Sequence, residues 1–153
     1  MRKWMDLFEA AQDPTALVHQ VAEELLADAG CTPEEFNNGR CMEFSDELER
    51  RDPRFHSYEL GNFYNHPEGS DCSEATGFGE KWLAHHPEWV PPHGLTWQDL
   101  YYHYGFDWTG THMWAWCDTN RLCYDIEALD GVLNLFDLPF FKRMIAHFQS
   151  IRG

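Results

Sequence analysis

Paired cysteines and long apolar runs are both missing from this 153-residue sequence. The five cysteines are an odd number and none of them forms a Cys-x-x-Cys pair. Neither the disulfide framework of a small secreted domain nor a zinc ribbon is therefore indicated. No apolar stretch approaches the roughly 20 residues that a membrane-spanning helix needs. We expect reduced thiols and no membrane partner.

Basic residues are scarce as well: 11 Lys and Arg stand against 26 Asp and Glu, for a formal charge of −15. Because an acidic surface repels phosphate, direct binding of nucleic acid is not expected. The charge favours solubility and leaves open a cationic partner or mimicry of nucleic acid. Asp6 and Glu9 interrupt any apolar region of a signal peptide, so we expect a cytoplasmic protein or one delivered by a route that needs no cleaved signal.

Several common functional motifs are also absent. The sequence has no Gly-rich phosphate loop, no Gly-x-Ser-x-Gly elbow and no basic stripe interleaved with aromatics. It shows no internal repeat and no low-complexity tract. Apolar residues make up 43% of a length that suits one domain, so residues 1–153 are expected to form a single domain around one core.

The segment DPTALVHQVAEELLADAG, residues 13–30, gives the clearest helix signal. Asp13 can cap the helix, Pro14 suits its first turn, and Gly30 can close its end. Apolar residues recur at helical spacing and predict a buried face made of Leu17, Val21, Leu25, Ala22 and Leu26. This helix is expected to be scaffold.

Two further helices are predicted. Residues 41–50 place Phe44 and Leu48 four apart on a core-facing side, and Pro53 ends the helix. The C-terminal segment DLPFFKRMIAHFQSIRG opens with an aspartate and a proline. Its buried stripe is expected to consist of Phe141, Met144, Ile145, Phe148 and Ile151.

The stretch GTHMWAWCDTNRLCYDIEAL has a different pattern. Alternating side chains predict strands near 111–117 and 121–127, joined by a turn at 118–120. The expected fold class is therefore α+β. N-terminal helices, including the helix that begins at Cys41, pack on a small antiparallel sheet, and a helix ends the chain.

Between Phe55 and Thr109 the pattern is irregular and broken by Gly and Pro. A short helix is predicted from Thr96, with Asp99 in a capping position. The region is rich in aromatic residues, which either fill the core or line a substrate groove: Trp82, Trp89, Trp97, Tyr101, Tyr102 and Tyr104.

Cys41 lies where a thiol can become reactive. It follows the turn Asn37-Asn38-Gly39 and begins a predicted helix. The N–H groups and dipole of a helix N-terminus lower the pKa of a thiol, and the thiolate is the reactive form. An imidazole partner and a group that orients it would complete a nucleophilic site.

The predicted hairpin supplies both groups. His112 lies on its first strand and Asp125 on its second, nearly opposite each other if the turn is centred near residue 119. Side chains of cross-strand neighbours are close enough for a carboxylate to reach the ring. Glu127 is the alternative orienting group. The sequence thus predicts a Cys41, His112 and Asp125 triad.

These segments resemble a known group of enzymes. GRCMEF (39–44), THMW (111–114) and the Tyr124-Asp125 pair are similar to the three motifs of transglutaminase-like and papain-like cysteine enzymes. The nearest resemblance is to the peptide N-glycanase core. The chain differs from that core in a longer segment between the first two motifs and in lacking its paired zinc cysteines.

The resemblance implies that Cys41 attacks an acyl carbon, His112 acts as base and Asp125 orients the ring. The implied reaction is hydrolysis or acyl transfer on an amide, ester or thioester, with no cofactor or metal. Peptides, proteins or amines are the expected substrates, and the negative charge favours basic ones. The Cys41 N–H and the side chain of Asn37 or Asn38 are candidate oxyanion donors.

Two other classes of function stay open. One is an acidic binding or inhibitor protein without catalysis, either a nucleic-acid mimic or a partner of a basic protein. The other depends on a metal, because imidazole and thiolate suit zinc. The first candidate metal set is His85, His86 and Glu88 with His66, Asp71 and Cys72. The second is His112, Cys117 and Cys123.

Overall fold

The computed structural model describes residues 13–59, 85–96 and 112–152. Within them, four α-helices and one four-stranded antiparallel sheet form an α+β fold, as predicted. The helices are α1 (Pro14–Ala29), α2 (Pro33–Asn37), α3 (Cys41–Arg51) and α4 (Pro139–Arg152). The strands are β1 (Phe55–Glu59), β2 (Met113–Cys117), β3 (Cys123–Asp125) and β4 (Ala128–Val132). Short 3-10 turns occupy Pro92–Gly94 and Leu135–Asp137.

Helix α1 begins and ends where the sequence predicted. The Asp13 side chain accepts a hydrogen bond from the Thr15 N–H at 3.0 Å, which satisfies one of the free donors of the first turn. Gly30 adopts a left-handed conformation with φ 65°, and its N–H donates to the Leu26 carbonyl. Val18, Val21 and other residues of one face are buried, while three of the predicted leucines lie only partly buried at its edge: Leu17, Leu25 and Leu26.

Helix α2 is short and was missed by the sequence analysis, which placed only a turn at residues 37–39. A capping box begins it: the Thr32 hydroxyl accepts from the Glu35 N–H, and the Glu35 carboxylate accepts from the Thr32 N–H. Asn37 is the last helical residue, and the turn follows it. The helix leads the chain directly to the start of α3.

Helix α3 spans Cys41–Arg51, close to the prediction. Phe44 and Leu48 are buried as expected, and the helix packs on β1 and β2. Its C-cap, Asp52, is extended and directly precedes Pro53. Cys41 is the first helical residue, so the sheet under α3 fixes the position of its side chain.

The predicted hairpin is present, with strands shorter than expected, and β1 and β4 extend it to four strands. The order is β1-β2-β3-β4, every pair antiparallel. In the central pair, Ala115 lies opposite Tyr124 and Trp116 opposite Cys123. Strand β1 lies in the region judged irregular, and β4 follows β3 after a two-residue turn at 126–127.

Both faces of the sheet are covered by apolar clusters. Trp114, Trp116 and Cys123 pack on one side with residues of α4, whereas Ala115 and Tyr124 pack on the other with α1 and α3. The alternation along β2 follows from the two-residue period of a strand. This layering places α3 on one face and α4 on the opposite face, with the ends of β2 and β3 between them.

The described residues include only part of the C-terminal helix and of the region predicted to be irregular. Phe141, Met144 and Ile145 are buried as predicted. Trp89 is fully buried in the core. The side chains of Phe148 and Ile151, the helix predicted to run on from Thr96, and the other aromatics of that region lie outside the described part of the chain. No helix in the described part is both long and apolar enough to cross a bilayer.

Gly131 in β4 occupies a position where both the backbone conformation and the surrounding side chains exclude a larger residue. Its φ is +79°, and a Cβ there would lie 2.8 Å from Tyr124 Cε1 and 2.9 Å from Leu122 Cβ. Gly131→Ala should lower the free energy of unfolding by about 2–4 kcal/mol, because the alanine would be strained at this positive φ and its Cβ would also overpack against Tyr124 and Leu122. Gly30→Ala has similar strain at φ +65° but open space around the new Cβ, so it should cost only about 1 kcal/mol. Urea unfolding of both variants measures the difference, and equal losses would contradict the steric argument.

Candidate active site

The three side chains singled out from the sequence converge where α3, β2 and β3 meet. Cys41 is the first residue of α3, His112 directly precedes β2, and Asp125 is the last residue of β3. All three are buried, with exposed fractions of 8%, 0% and 1% respectively. Of the three residues, Cys41 is thus the one that retains the most access to solvent.

His112 and Asp125 form a buried hydrogen-bonded pair. The His112 Nε2 lies 3.0 Å from the Asp125 Oδ2. The other carboxylate oxygen, Oδ1, accepts the backbone N–H of Glu127 at 2.9 Å, which fixes the plane of the carboxylate. Both oxygens of Asp125 are therefore engaged, and one of them is aimed at the ring.

The register of the hairpin differs from the one assumed in the sequence analysis. Ala115 pairs with Tyr124, so continuing the ladder sets Trp114 opposite Asp125, and His112 lies two residues beyond Trp114. The turn is centred half a residue later than assumed. His112 and Asp125 are consequently diagonal neighbours on the same face, a separation that a long side chain can still bridge.

Phe140, at the start of α4, holds the imidazole in place. Its ring stacks on that of His112 with centroids 4.1 Å apart and planes 12° from parallel, and Phe141 packs against the ring edge at 5.8 Å. Phe140 lies beside the apolar stripe predicted for α4 and was therefore missed. Nε2 is taken by Asp125, while the buried Nδ1 has no hydrogen-bond partner among the described residues, so Nδ1 is the ring nitrogen left to act on the Cys41 thiol.

The environment of Cys41 favours its thiolate. Burial alone raises the pKa of the thiol, but the nearby His112 imidazole with its positive charge, together with the backbone N–H groups of Met113 and Met42, outweighs the effect of burial. The pKa of Cys41 is therefore lowered from its ordinary value. For His112, burial lowers the pKa, but the hydrogen bond to Asp125 and the negative charges of Asp125 and Cys41 raise it more. Opposite shifts of this kind favour a thiolate–imidazolium pair.

The start of α3 has free hydrogen-bond donors. Its N-cap is Arg40, whose side chain makes no capping hydrogen bond, although Ser, Thr, Asp or Asn would normally stand there. In the described part of the chain no backbone acceptor is seen for the Cys41 N–H. An uncapped helix N-terminus beside the sulfur can bind a developing negative charge.

The structure distinguishes the two candidate asparagines. Asn38 is exposed, whereas Asn37 is only 2% exposed, and neither its Nδ2 nor its Oδ1 has a hydrogen-bond partner among the described residues. The Arg40 N–H donates to the Phe36 carbonyl at 2.8 Å, which closes the chain into a turn between Asn37 and Cys41. A buried amide without partners costs roughly 1–3 kcal/mol, and this one stands four residues before the nucleophile, which makes it the stronger candidate of the two asparagines.

The alternative metal sites gain no support from the described residues. No group of three or more His, Cys, Asp or Glu side chains in residues 13–59, 85–96 and 112–152 is arranged to hold a metal ion. Cys117 and Cys123 belong to clusters on opposite faces of the sheet. His86 stacks on Trp89 at 3.9 Å and its Nε2 bonds the Tyr58 hydroxyl. His66, Asp71 and Cys72 lie outside the described residues.

Glu127, the alternative orienting group, turns away from His112. Its carboxylate forms an ion pair with Arg143 of α4, and its backbone N–H donates a hydrogen bond to the Asp125 Oδ1. The sequence analysis gave Arg143 no role, since nothing in the local pattern links it to residue 127.

Comparison of the chain with protein-family models, with curated proteins and with solved structures found no match.

Proposed function

We propose that this protein is a thiol enzyme, a hydrolase or acyltransferase that attacks an amide, ester or thioester with Cys41, His112 and Asp125. One observation carries the proposal. A buried imidazole is bonded through Nε2 to a fixed carboxylate and keeps Nδ1 unpartnered, and it lowers the pKa of a thiol at an uncapped helix N-terminus. The resemblance of the three motifs to transglutaminase-like and papain-like cysteine enzymes points to the same chemistry.

In the first half-reaction the Cys41 thiolate attacks the carbonyl carbon. A C–S bond forms, and the carbonyl π electrons move to oxygen, where the Cys41 N–H and the Asn37 amide stabilise the negative charge. His112, protonated in the ion pair, donates a proton to the leaving nitrogen, oxygen or sulfur as that bond breaks. The products are an acyl-thioester on Cys41 and a free amine, alcohol or thiol.

In the second half-reaction His112, now neutral, removes a proton from the incoming nucleophile. Water releases a carboxylic acid, and an amine gives a new amide, so the two activities differ only in the acceptor. Asp125 holds the ring and stabilises its positive charge in both steps. The thiolate is regenerated as the C–S bond breaks.

The net charge favours a basic peptide or amine as the substrate. With −15 on 153 residues, the field of the protein attracts cations and raises their local concentration. His112 and Asp125 are almost fully buried, so the reacting carbonyl has to reach the sulfur itself. Raising the salt concentration should weaken the binding of a basic substrate.

Acylation by p-nitrophenyl acetate tests the proposal without knowledge of the natural substrate. The wild type should release a burst of about one p-nitrophenolate per chain, and peptide mass spectrometry should locate the acetyl group on Cys41. Cys41→Ala should abolish the burst, whereas Cys31→Ala removes another free, partly exposed thiol and should leave it intact. A burst that survives in Cys41→Ala, or no burst in the wild type, would contradict the proposal and favour a non-catalytic acidic binding protein.

A further inference from the structure

Arg143 connects the two halves of the candidate site. Its Nη1 lies 3.0 Å from the Glu127 Oε2 and 3.2 Å from the Oε1, and its Nε lies 3.8 Å from the Glu34 Oε1. Glu127 belongs to the turn that follows Asp125, and Glu34 belongs to α2, which leads into Cys41. One guanidinium on α4 thus contacts the segments next to the carboxylate and next to the nucleophile.

The contact with Glu127 is the stronger of the two. The Glu127 side chain is only 9% exposed, while Glu34 is 62% exposed and its ion pair is screened by water. A carboxylate as buried as that of Glu127 needs its cation, because removing one partner of a buried ion pair leaves an uncompensated charge. The pair therefore holds the 126–127 turn against α4.

The same turn orients Asp125. Glu127 occupies the second position of the two-residue connection between β3 and β4, and its N–H donates to the Asp125 Oδ1. Any rotation of the Glu127 peptide moves that donor and frees the carboxylate to turn away from His112. The geometry of Asp125 therefore depends on where the Glu127 side chain is anchored.

We propose that Arg143 is a positioning residue of this site: through Glu127 it holds the peptide that aims the Asp125 carboxylate at His112. The inference rests on the proposed function for its catalytic consequence, but the hydrogen-bond geometry that it explains is independent of that function. Arg143 itself touches none of the reacting groups.

The test uses Arg143→Met, with Lys142→Met as the matched control. Lys142 is the preceding residue of α4, exposed and equally charged, so its loss changes the net charge by the same amount. Two quantities are measured on each full-length variant. One is the low-field ¹H NMR signal of the His112 Nε2–H shared with Asp125, and the other is the pH inflection of iodoacetamide alkylation at Cys41. Thermal unfolding followed by circular dichroism verifies that the variants are folded.

Arg143→Met should weaken or abolish the Nε2–H signal and shift the alkylation inflection upward by about one pH unit, which is tenfold in thiolate below the inflection. Lys142→Met should change neither. Arg143→Lys keeps the charge but loses the guanidinium, which contacts Glu127 through Nη1 and Glu34 through Nε, so an intermediate result is expected. If Arg143→Met does not fold, Glu127→Gln replaces it, because it removes the charge from the same contact with little change of shape.

An unchanged Nε2–H signal and inflection in a folded Arg143→Met would overturn the inference. The inference would also be overturned if Lys142→Met lost the Nε2–H signal and shifted the alkylation inflection to the same extent, because the effect would then come from the net charge. A third outcome separates the two proposals. If the Nε2–H signal is present in the wild type and lost in Arg143→Met, but Cys41 of the wild type is alkylated no faster than an ordinary thiol, the positioning role is supported and the proposed function is contradicted.

Discussion

At pH 6, Cys41 in the native protein is expected to react with iodoacetamide about ten times faster than Cys31, and His112→Ala is expected to remove that advantage. An ordinary thiol with a pKa near 8.5 is about 0.3% ionised at this pH. The lowered pKa of Cys41 raises its thiolate fraction above this level. The gain in thiolate exceeds the accompanying fall in intrinsic nucleophilicity, which is only about half as large on a logarithmic scale, so a net advantage of about tenfold is expected.

The direction of the pH dependence follows from the two shifted pKa values. The pKa of Cys41 is lowered, so alkylation should rise at a lower pH than for a free thiol. The pKa of His112 is raised, so the imidazolium persists to a higher pH than usual. The thiolate–imidazolium pair therefore exists in the pH range between the lowered pKa of Cys41 and the raised pKa of His112. Acylation should therefore follow a bell-shaped profile, whereas alkylation, which needs no proton donor, should not fall at high pH.

In His112→Ala the burial of Cys41 remains while its main stabilising partner is gone. Since burial raises the pKa of the thiol, the inflection should move to or above that of an ordinary thiol. Mass spectrometry of each cysteine-containing peptide against pH gives the rates, with Cys31 as the internal reference in every sample. Equal rates at Cys41 and Cys31 in the wild type, or an identical profile in His112→Ala, would contradict the ion pair.

Asn37→Ala is expected to slow acylation of Cys41 by p-nitrophenyl acetate about 100-fold, as loss of one oxyanion donor does in other enzymes. Alkylation by iodoacetamide should stay within about twofold, because attack at its CH₂ carbon creates no oxyanion. The ratio of the two rates isolates oxyanion binding from the reactivity of the thiol. It is measured from the p-nitrophenolate burst and from the alkylation of the same preparation.

Two controls separate this role from a structural one. Asn38→Ala, in the exposed neighbour, should leave both rates unchanged. Asn37→Ala should leave the free energy of unfolding nearly unchanged, because it removes two buried polar atoms that have no partner among the described residues. If Asn37→Ala slowed both reactions equally, or unfolded the protein, the amide would hold the fold and not the oxyanion.

The ends and faces of the individual helices and strands could be predicted from local sequence. Asp13, Pro14 and Gly30 fixed the ends of α1, because caps act within a few residues of their position. Alternation along residues 112–117 predicted a strand with two different faces, and the turn residues after it predicted a hairpin. The helix beginning at Cys41 was likewise readable from Phe44, Leu48 and Pro53.

The contacts between these elements could not be predicted from local sequence and are seen only in the folded protein. Local pattern could not give the exact hairpin register, so His112 and Asp125 are diagonal and not opposite. It could not show that Phe140 stacks on His112, that Asn37 is buried while Asn38 is exposed, or that Glu127 pairs with Arg143 and leaves His112 to Asp125. Each of these depends on contacts between residues far apart in the chain or on burial by other elements. Such contacts arise when α3 and α4 close on opposite faces of the sheet, and no periodicity within a single segment encodes them.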